Sequence, residues 1–210
     1  MPTLLSHSTK KALTTLARAK VFCGIVGDAQ DSRLIPIINQ VTGFIERYCK
    51  RSFLSQTYTS EEYDGTGTGC LILKQFPVTT FTSLQYRDSD DNSLDTWTTV
   101  DSDDYFWYAD GRIKLASATG KFREVPKKYR ATYVAGYLID FDNENTPASH
   151  TLPEEIEYAC HKLVSALLNT RRAEGLEEES QGDQSVRLKK EVFNDAETRA
   201  ILDKYAAPSI

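Results

Sequence analysis

Apolar residues first fall into a regular pattern between Asp31 and about Arg51. Leu34, Ile38, Val41, Ile45 and Tyr48 are spaced four, three, four and three apart, which places them on one face of a helix. Pro36 sits in the opening turns, where a missing amide matters least, and Arg47, Lys50 and Arg51 complement the negative end of the helix dipole. A shorter helix precedes it. Thr14 or Thr15 can satisfy its first free amides, and Gly24 suits its exit after about Phe22.

From Gln56 to Tyr137 the texture changes to short runs rich in Thr, Tyr, Val, Ile and Phe, broken by turn residues, the pattern of an antiparallel sheet. Strands are expected near 56–63, 70–74, 81–87, 105–108, 112–115 and 129–135, with Ala109-Asp110-Gly111 as a hairpin turn. Helical spacing returns at Leu152, with Thr151 as the expected cap, Pro153 and two glutamates in the first turn, and a stripe of Ile156, Cys160, Leu163 and Leu167. Each of the two apolar stripes is one-sided and needs a partner. The expected fold is therefore α+β: a helical core split in sequence into 1–54 and 141–173, with an inserted antiparallel β-rich domain at 55–140.

Residues 174–210 read as a linker and a flexible C-terminal arm. Glu174-Gly-Leu-Glu-Glu-Glu-Ser-Gln-Gly-Asp is too polar to bury a core. Val186 to Phe193 then alternates apolar with polar residues, and Ala196 to Tyr205 suits a last helix carrying Ile201, Leu202 and Tyr205. Two arrangements stay open for this tail, ordering on a partner or packing on its own domain.

Composition narrows the function more by exclusion than by signal. Thirty acidic residues against 25 basic give a net charge of -5, which is wrong for a general nucleic-acid coat. The four cysteines are far apart and lack CxxC spacing, and Cys49 and Cys160 fall in apolar helical stripes, so they read as reduced core thiols. No run has the length of a membrane helix and the N-terminus lacks a secretory apolar segment, so a protein made and used in the cytosol is expected.

The patterns that could carry chemistry are mostly incomplete. Asp64-Gly-Thr-Gly-Thr-Gly69 lacks the Lys-Ser/Thr and following helix of a phosphate loop, and reads as a glycine-rich turn. Asp88, Asp90 and Asn92 open like a calcium loop, but Ser93 and Thr99 stand where glycine and glutamate belong. His7, His150 and His161 form no metal pattern, and His161 is expected on a helix surface. Asp90/Asp91 and Asp103/Asp104 are adjacent acids that point apart on a strand or are solvated in a loop. In Tyr105-Phe-Trp-Tyr108 only alternate members share a face. No catalytic, metal or cofactor residue is assigned, and none of these patterns makes the chain an enzyme.

The order of "LTTLARAKVFCGI", "IERYCKRSF", "QTYTSEEYDG", "LILKQFPVTTFTSL", "YRATYVAGY" and "LPEEIEYACHKLVSALLNTRR" resembles the head-tail connector (adaptor, or head completion) proteins of tailed phages across nearly the whole chain. The acidic stretch 87–104 departs from that pattern. The resemblance implies a structural virion protein at the head-tail junction, assembled in the host cytoplasm. Its copies would form a ring, commonly twelve-fold, that docks under the portal protein, extends the DNA channel and joins the head to a neck stopper or tail component. DNA passing through would make only transient, non-specific contact, and no membrane is involved. On this reading the helical core makes the subunit contacts and the tail meets the portal, with Arg187, Lys189, Lys190, Val192, Phe193 and Tyr205 as candidate contacts. The alternatives are a carbohydrate- or receptor-binding virion module built on the β domain, and a small hydrolase using Asp103 or Asp104.

Overall fold

The structure is a computed structural model that describes residues 12–88, 96–139, 150–174 and 195–207. It is α+β and divides into two compact units, one formed by Met1–Arg51 with Leu138–Ile210 and the other by Ser52–Tyr137.

The first unit is helical. Helix α1 (Leu16–Cys23) starts where the Thr15 hydroxyl accepts the Arg18 amide and stops at Gly24, whose left-handed conformation turns its own amide back onto the Lys20 and Val21 carbonyls. Helix α2 (Asp31–Cys49) buries Leu34, Ile38, Val41 and Ile45 as the spacing requires, and also Ile35, Ile37, Thr42 and Cys49. Its buried face is wide because it packs against α1, α3 (Glu154–Glu174) and α4 (Ala196–Tyr205). Helix α3 meets it with Ile156, Cys160, Leu163, Val164, Leu167 and Leu168. Thr151, the expected cap of α3, is used elsewhere: its hydroxyl accepts the Leu138 amide, and the Pro153 carbonyl takes the Ile156 amide instead. Both core cysteines are buried and free. Desolvation raises both thiols, Cys49 to about 11, so they behave as small apolar groups.

The second unit packs a four-stranded sheet, in the order β1-β7-β3-β4, with a three-stranded one, β2-β6-β5. The strands are β1 (Gln56–Tyr63), β2 (Cys70–Ile72), β3 (Val78–Arg87), β4 (Trp97–Thr99), β5 (Tyr105–Trp107), β6 (Arg112–Leu115) and β7 (Tyr129–Ala135), and every pairing is antiparallel. Strict alternation on β7 turns Tyr129, Ala131, Tyr133 and Ala135 inward. They share a core with Leu84, Leu71, Ile113 and Phe122. The Asp110-Gly111 hairpin forms as expected, with Gly111 at φ +84° and its amide bonded to the Tyr108 carbonyl. Strand β4 is an addition to the expected set. It is three residues long and defined by pairing with β3, where Trp97 lies opposite Arg87, its ring 4.7 Å from that guanidinium and 4.4 Å from the guanidinium of Arg130.

The unit's ends are tied to each other. The Tyr137 amide donates to the Phe53 carbonyl at 2.6 Å, the Ser55 amide to the Tyr137 carbonyl at 2.8 Å, and the two rings of Phe53 and Tyr137 stack at 6.4 Å. Gly136 makes that closure possible. It sits at φ +113°, and a Cβ there would lie 2.5 Å from the Leu54 carbonyl oxygen. Gly136→Ala is expected to destabilise the β unit by about 2–3 kcal/mol, the cost of a strained φ plus a backbone shift. Urea denaturation should show it as a lower midpoint, and a midpoint equal to that of the parent protein would refute the closure argument.

Candidate assembly surfaces

Among the described residues of the helical unit one carboxylate, Glu157, is fully buried, and three segments converge on it. Arg18 Nη2 donates to Oε2 at 2.5 Å, and the Thr14 hydroxyl donates to Oε1 at 2.9 Å. His150 Nε2 lies 3.4 Å from Oε2, and His161 Nε2 lies 2.7 Å from the Thr14 oxygen. Because the Thr14 proton is committed to Glu157, His161 acts as the donor to Thr14 and carries its proton on Nε2. The expectation that His161 sits on a helix surface is therefore corrected: it is buried, under the Phe22 ring at 5.0 Å. Desolvation lowers its pKa, against the raising effect of Glu157. The node ties α1 to α3 through a carboxylate whose two oxygens are both hydrogen-bonded.

A second set of polar contacts fixes the last helix. Asp195 caps α4 by accepting the Thr198 amide at 2.9 Å and hydroxyl at 2.7 Å. Lys162 on α3 reaches both Asp195 and Glu197, and Glu155 takes Lys204 and the Tyr205 hydroxyl. Tyr48 donates to Asp203 at 2.6 Å, and the Ala207 amide donates to the Cys49 carbonyl. Leu202 is buried beneath these contacts. Of the two arrangements open for the tail, its last helix packs on its own unit.

In the β unit the three-stranded sheet turns an aromatic and cationic face outward. Phe106 lies opposite Lys114, and Ile72 opposite Arg112. The Tyr108 ring is 5.4 Å from the Arg112 guanidinium and 5.8 Å from the Lys114 ammonium. Trp107 shares the face of Tyr105, as the alternation of the strand requires. It stacks on Phe81 at 6.2 Å, yet stays partly open because β5 is an edge strand. Inside the unit, the Tyr133 hydroxyl bonds Glu61 at 2.6 Å and the Tyr63 hydroxyl at 2.9 Å, and burial pushes both tyrosines far up.

The loop 64–69 makes no phosphate cradle. Gly65 lies so close to the Arg123 carbonyl that a Cβ would fall 1.5 Å from its oxygen, and the Gly67 amide bonds the Phe122 carbonyl, so these glycines serve backbone packing. Asp103 and Asp104 are exposed in a single turn of 3-10 helix headed by Asp101. Among the described residues no group of three His, Cys, Asp or Glu side chains suits a metal ion.

The family model for head completion proteins matches residues 12–205. This chain belongs to the head completion protein family. The family is a structural one, which places the protein among phage virion assembly components of the head-tail connection. The fold of this head completion protein is similar to that of a chain in the neck of an empty GTA particle computed with C6 symmetry, with a TM-score of 0.51 at 14% identity, covering 92% of this chain and 89% of that one. A chain in the neck of a native GTA particle computed with C12 symmetry gives a TM-score of 0.47 at 15% identity, covering 87% and 86%. No curated protein matches the sequence.

Of the residues expected to contact a portal, Arg187, Lys189, Lys190, Val192 and Phe193 lie outside the described residues, and Tyr205 is half-buried with its hydroxyl on Glu155. The polar clamp on α4 has a pH signature. Asp195 is lowered from 3.8 to about 2 by Lys162 first and then by Thr198, and Glu155 is lowered by Lys204 and Tyr205. Carboxylates held low in the fold stabilise it fully above their ordinary values, and that stabilisation is lost as pH falls through the folded ones. Amide protection factors across 196–205, taken relative to the intrinsic exchange rate at each pH, are therefore expected to fall on acidification from about pH 5 to about pH 2. Asp195→Asn should lower them already at neutral pH and flatten the acid response. Unchanged protection factors in that variant would remove Asp195 from the clamp.

Proposed function

We propose that this head completion protein forms a ring under the portal protein, extends the DNA channel, and presents its far side to the next neck or tail component. The observation that carries the reading is the family match from residue 12 to residue 205, which spans both compact units. A neck assembly of six-fold symmetry containing a chain of similar fold supports a cyclic arrangement. The alternating segment 186–193 and its bases Arg187, Lys189 and Lys190 dock the ring on the portal.

Charge fits a passage more than a clamp. Twelve copies at -5 would carry -60 in total, and such a ring repels phosphate except where cations are locally gathered. DNA then slides past with brief, non-specific contacts. Turnover chemistry has no part in this reading: the mechanism is assembly.

The buried Leu202 and the Cys49 contacts dictate how docking must be tested, because deleting the whole tail would strip cover from the helical core. The triple variant Arg187→Glu, Lys189→Glu, Lys190→Glu leaves α4 in place. It is expected to keep the parent's thermal unfolding and to lose most portal binding, since three contacts of this kind change sign at the partner surface. Co-sedimentation with purified portal, followed by negative-stain microscopy, reads both the binding and the ring. Binding equal to that of the parent would assign portal docking to another surface.

A further inference from the structure

Large apolar side chains left exposed are a small set among the described residues, and most fall in two groups. One is on the helical unit: Val21 and Phe22 at the end of α1, Val26 just after its Gly24 cap, and Tyr158 on α3, whose ring meets Phe22 edge-on at 6.1 Å. Val21 is 82% exposed and Val26 98%. The other group is Ile72, Phe106 and Tyr108 on the outward face of the three-stranded sheet, with Phe106 59% exposed, whereas Trp107 stands on the opposite face across from Ile113. Patches of this kind mark contact surfaces when they are rimmed by polar groups.

The two rims have opposite charge. Glu154 is exposed one turn before Tyr158 on the same side of α3. Asp28 and Asp31 share a single ammonium, that of Lys20, at 2.9 and 2.8 Å, which leaves an acidic excess beside Val26. On the sheet, Asp110 neutralises Arg112 at 2.6 Å, whereas no carboxylate among the described residues pairs with Lys114, directly across from Phe106. The sheet face therefore keeps a positive excess in a chain whose total is -5.

Resting on the ring reading above, we infer that the acidic apolar patch of one copy docks on the cationic aromatic sheet face of the next copy. A ring cannot be closed by a patch that meets its own equivalent, because such a contact stops at a dimer. It needs two unlike, complementary surfaces on every subunit. These two patches are unlike in charge, alike in apolar content, and present once each per chain, so the occupant of each is a second copy. The aromatics and valines supply the buried anchors, and Lys114 with Glu154 and Asp28 sets orientation.

The test uses the full chain with its portal, counting closed rings by negative stain and by light scattering, with and without portal. Val26→Asp and Phe106→Asp each alter an exposed side chain, and circular dichroism should match the parent. Each is expected to lower ring yield by roughly tenfold or more, because the loss of a central anchor is repeated at every contact. Lys114→Glu and Glu154→Lys should each lower ring yield, and the double variant should return it to within about twofold of the parent, since the pair is restored with its signs exchanged. Normal rings from Val26→Asp or Phe106→Asp would overturn the inference. So would rings that form but no longer bind portal, which would make the portal the occupant, or failure of the charge-exchanged double variant to recover. If the parent protein itself forms no ring with portal, it is the proposed function that fails.

Discussion

The insertion of a β unit into a helical one depends on a short closure between Phe53 and Tyr137. A chain that leaves a helical core after α2 and re-enters it before α3 must have the two ends of its excursion side by side. Two backbone hydrogen bonds, a parallel bridge between Leu54 and Tyr137, and a stacked ring pair hold them there. The closure needs a backbone approach that leaves no volume for a Cβ at Gly136, so a single glycine is the steric condition for the arrangement. Strand β7, which runs into that glycine, is also paired on both sides in the larger sheet, with β1 and β3. Closure and sheet pairing thus rest on one continuous segment.

Much of this was legible because it is local. The four-three spacing of α2, the Asp-Gly hairpin and the alternation on β7 each follow from periods and turn chemistry that a few residues encode. The last helix was legible too, from Ala196 to Tyr205, but not its location. That depends on Lys162, Glu155 and Tyr48, each more than 30 residues away in sequence. Strand β4 escaped for a related reason. Three residues in an acidic, threonine-rich stretch carry no period, and only the register with β3 reveals them.

The polar node at Glu157 shows most clearly what periodicity misses. His161 follows Cys160 in the stripe of α3, and a one-dimensional pattern assigns it to the flank of the helix and so to solvent. Burial comes instead from α1, which lies across that flank and brings Thr14, Arg18 and Phe22 to it. The sequence signal, in hindsight, is that Glu157 and His161 stand four apart on one helix face, a spacing at which an acid and an imidazole can share a partner. Among the candidate contact residues, the aromatic run 105–108 was visible, but its pairing with Lys114 and Arg112 arises only from the register of β5 on β6.

In the proposed ring, an acidic protein that lets DNA pass and also assembles must solve two electrostatic problems with one charge distribution. A uniform negative surface would let phosphate slide but would also drive identical copies apart, since like charges at a contact cost several kcal/mol. A cation placed beside exposed aromatics, as Lys114 is beside Phe106 and Tyr108, would resolve the conflict. In the proposed contact, Lys114 would make one small face attractive to an acidic neighbour without altering the sign of the net charge felt farther away. The aromatic content matters as much as the charge. An exposed ion pair in water contributes little by itself, whereas in the proposed contact apolar anchors such as Phe106 and Val26 would supply affinity and leave the ions to select which surface meets which. In the proposed ring, then, assembly strength and DNA passage are set by different residues, and each can change without disturbing the other.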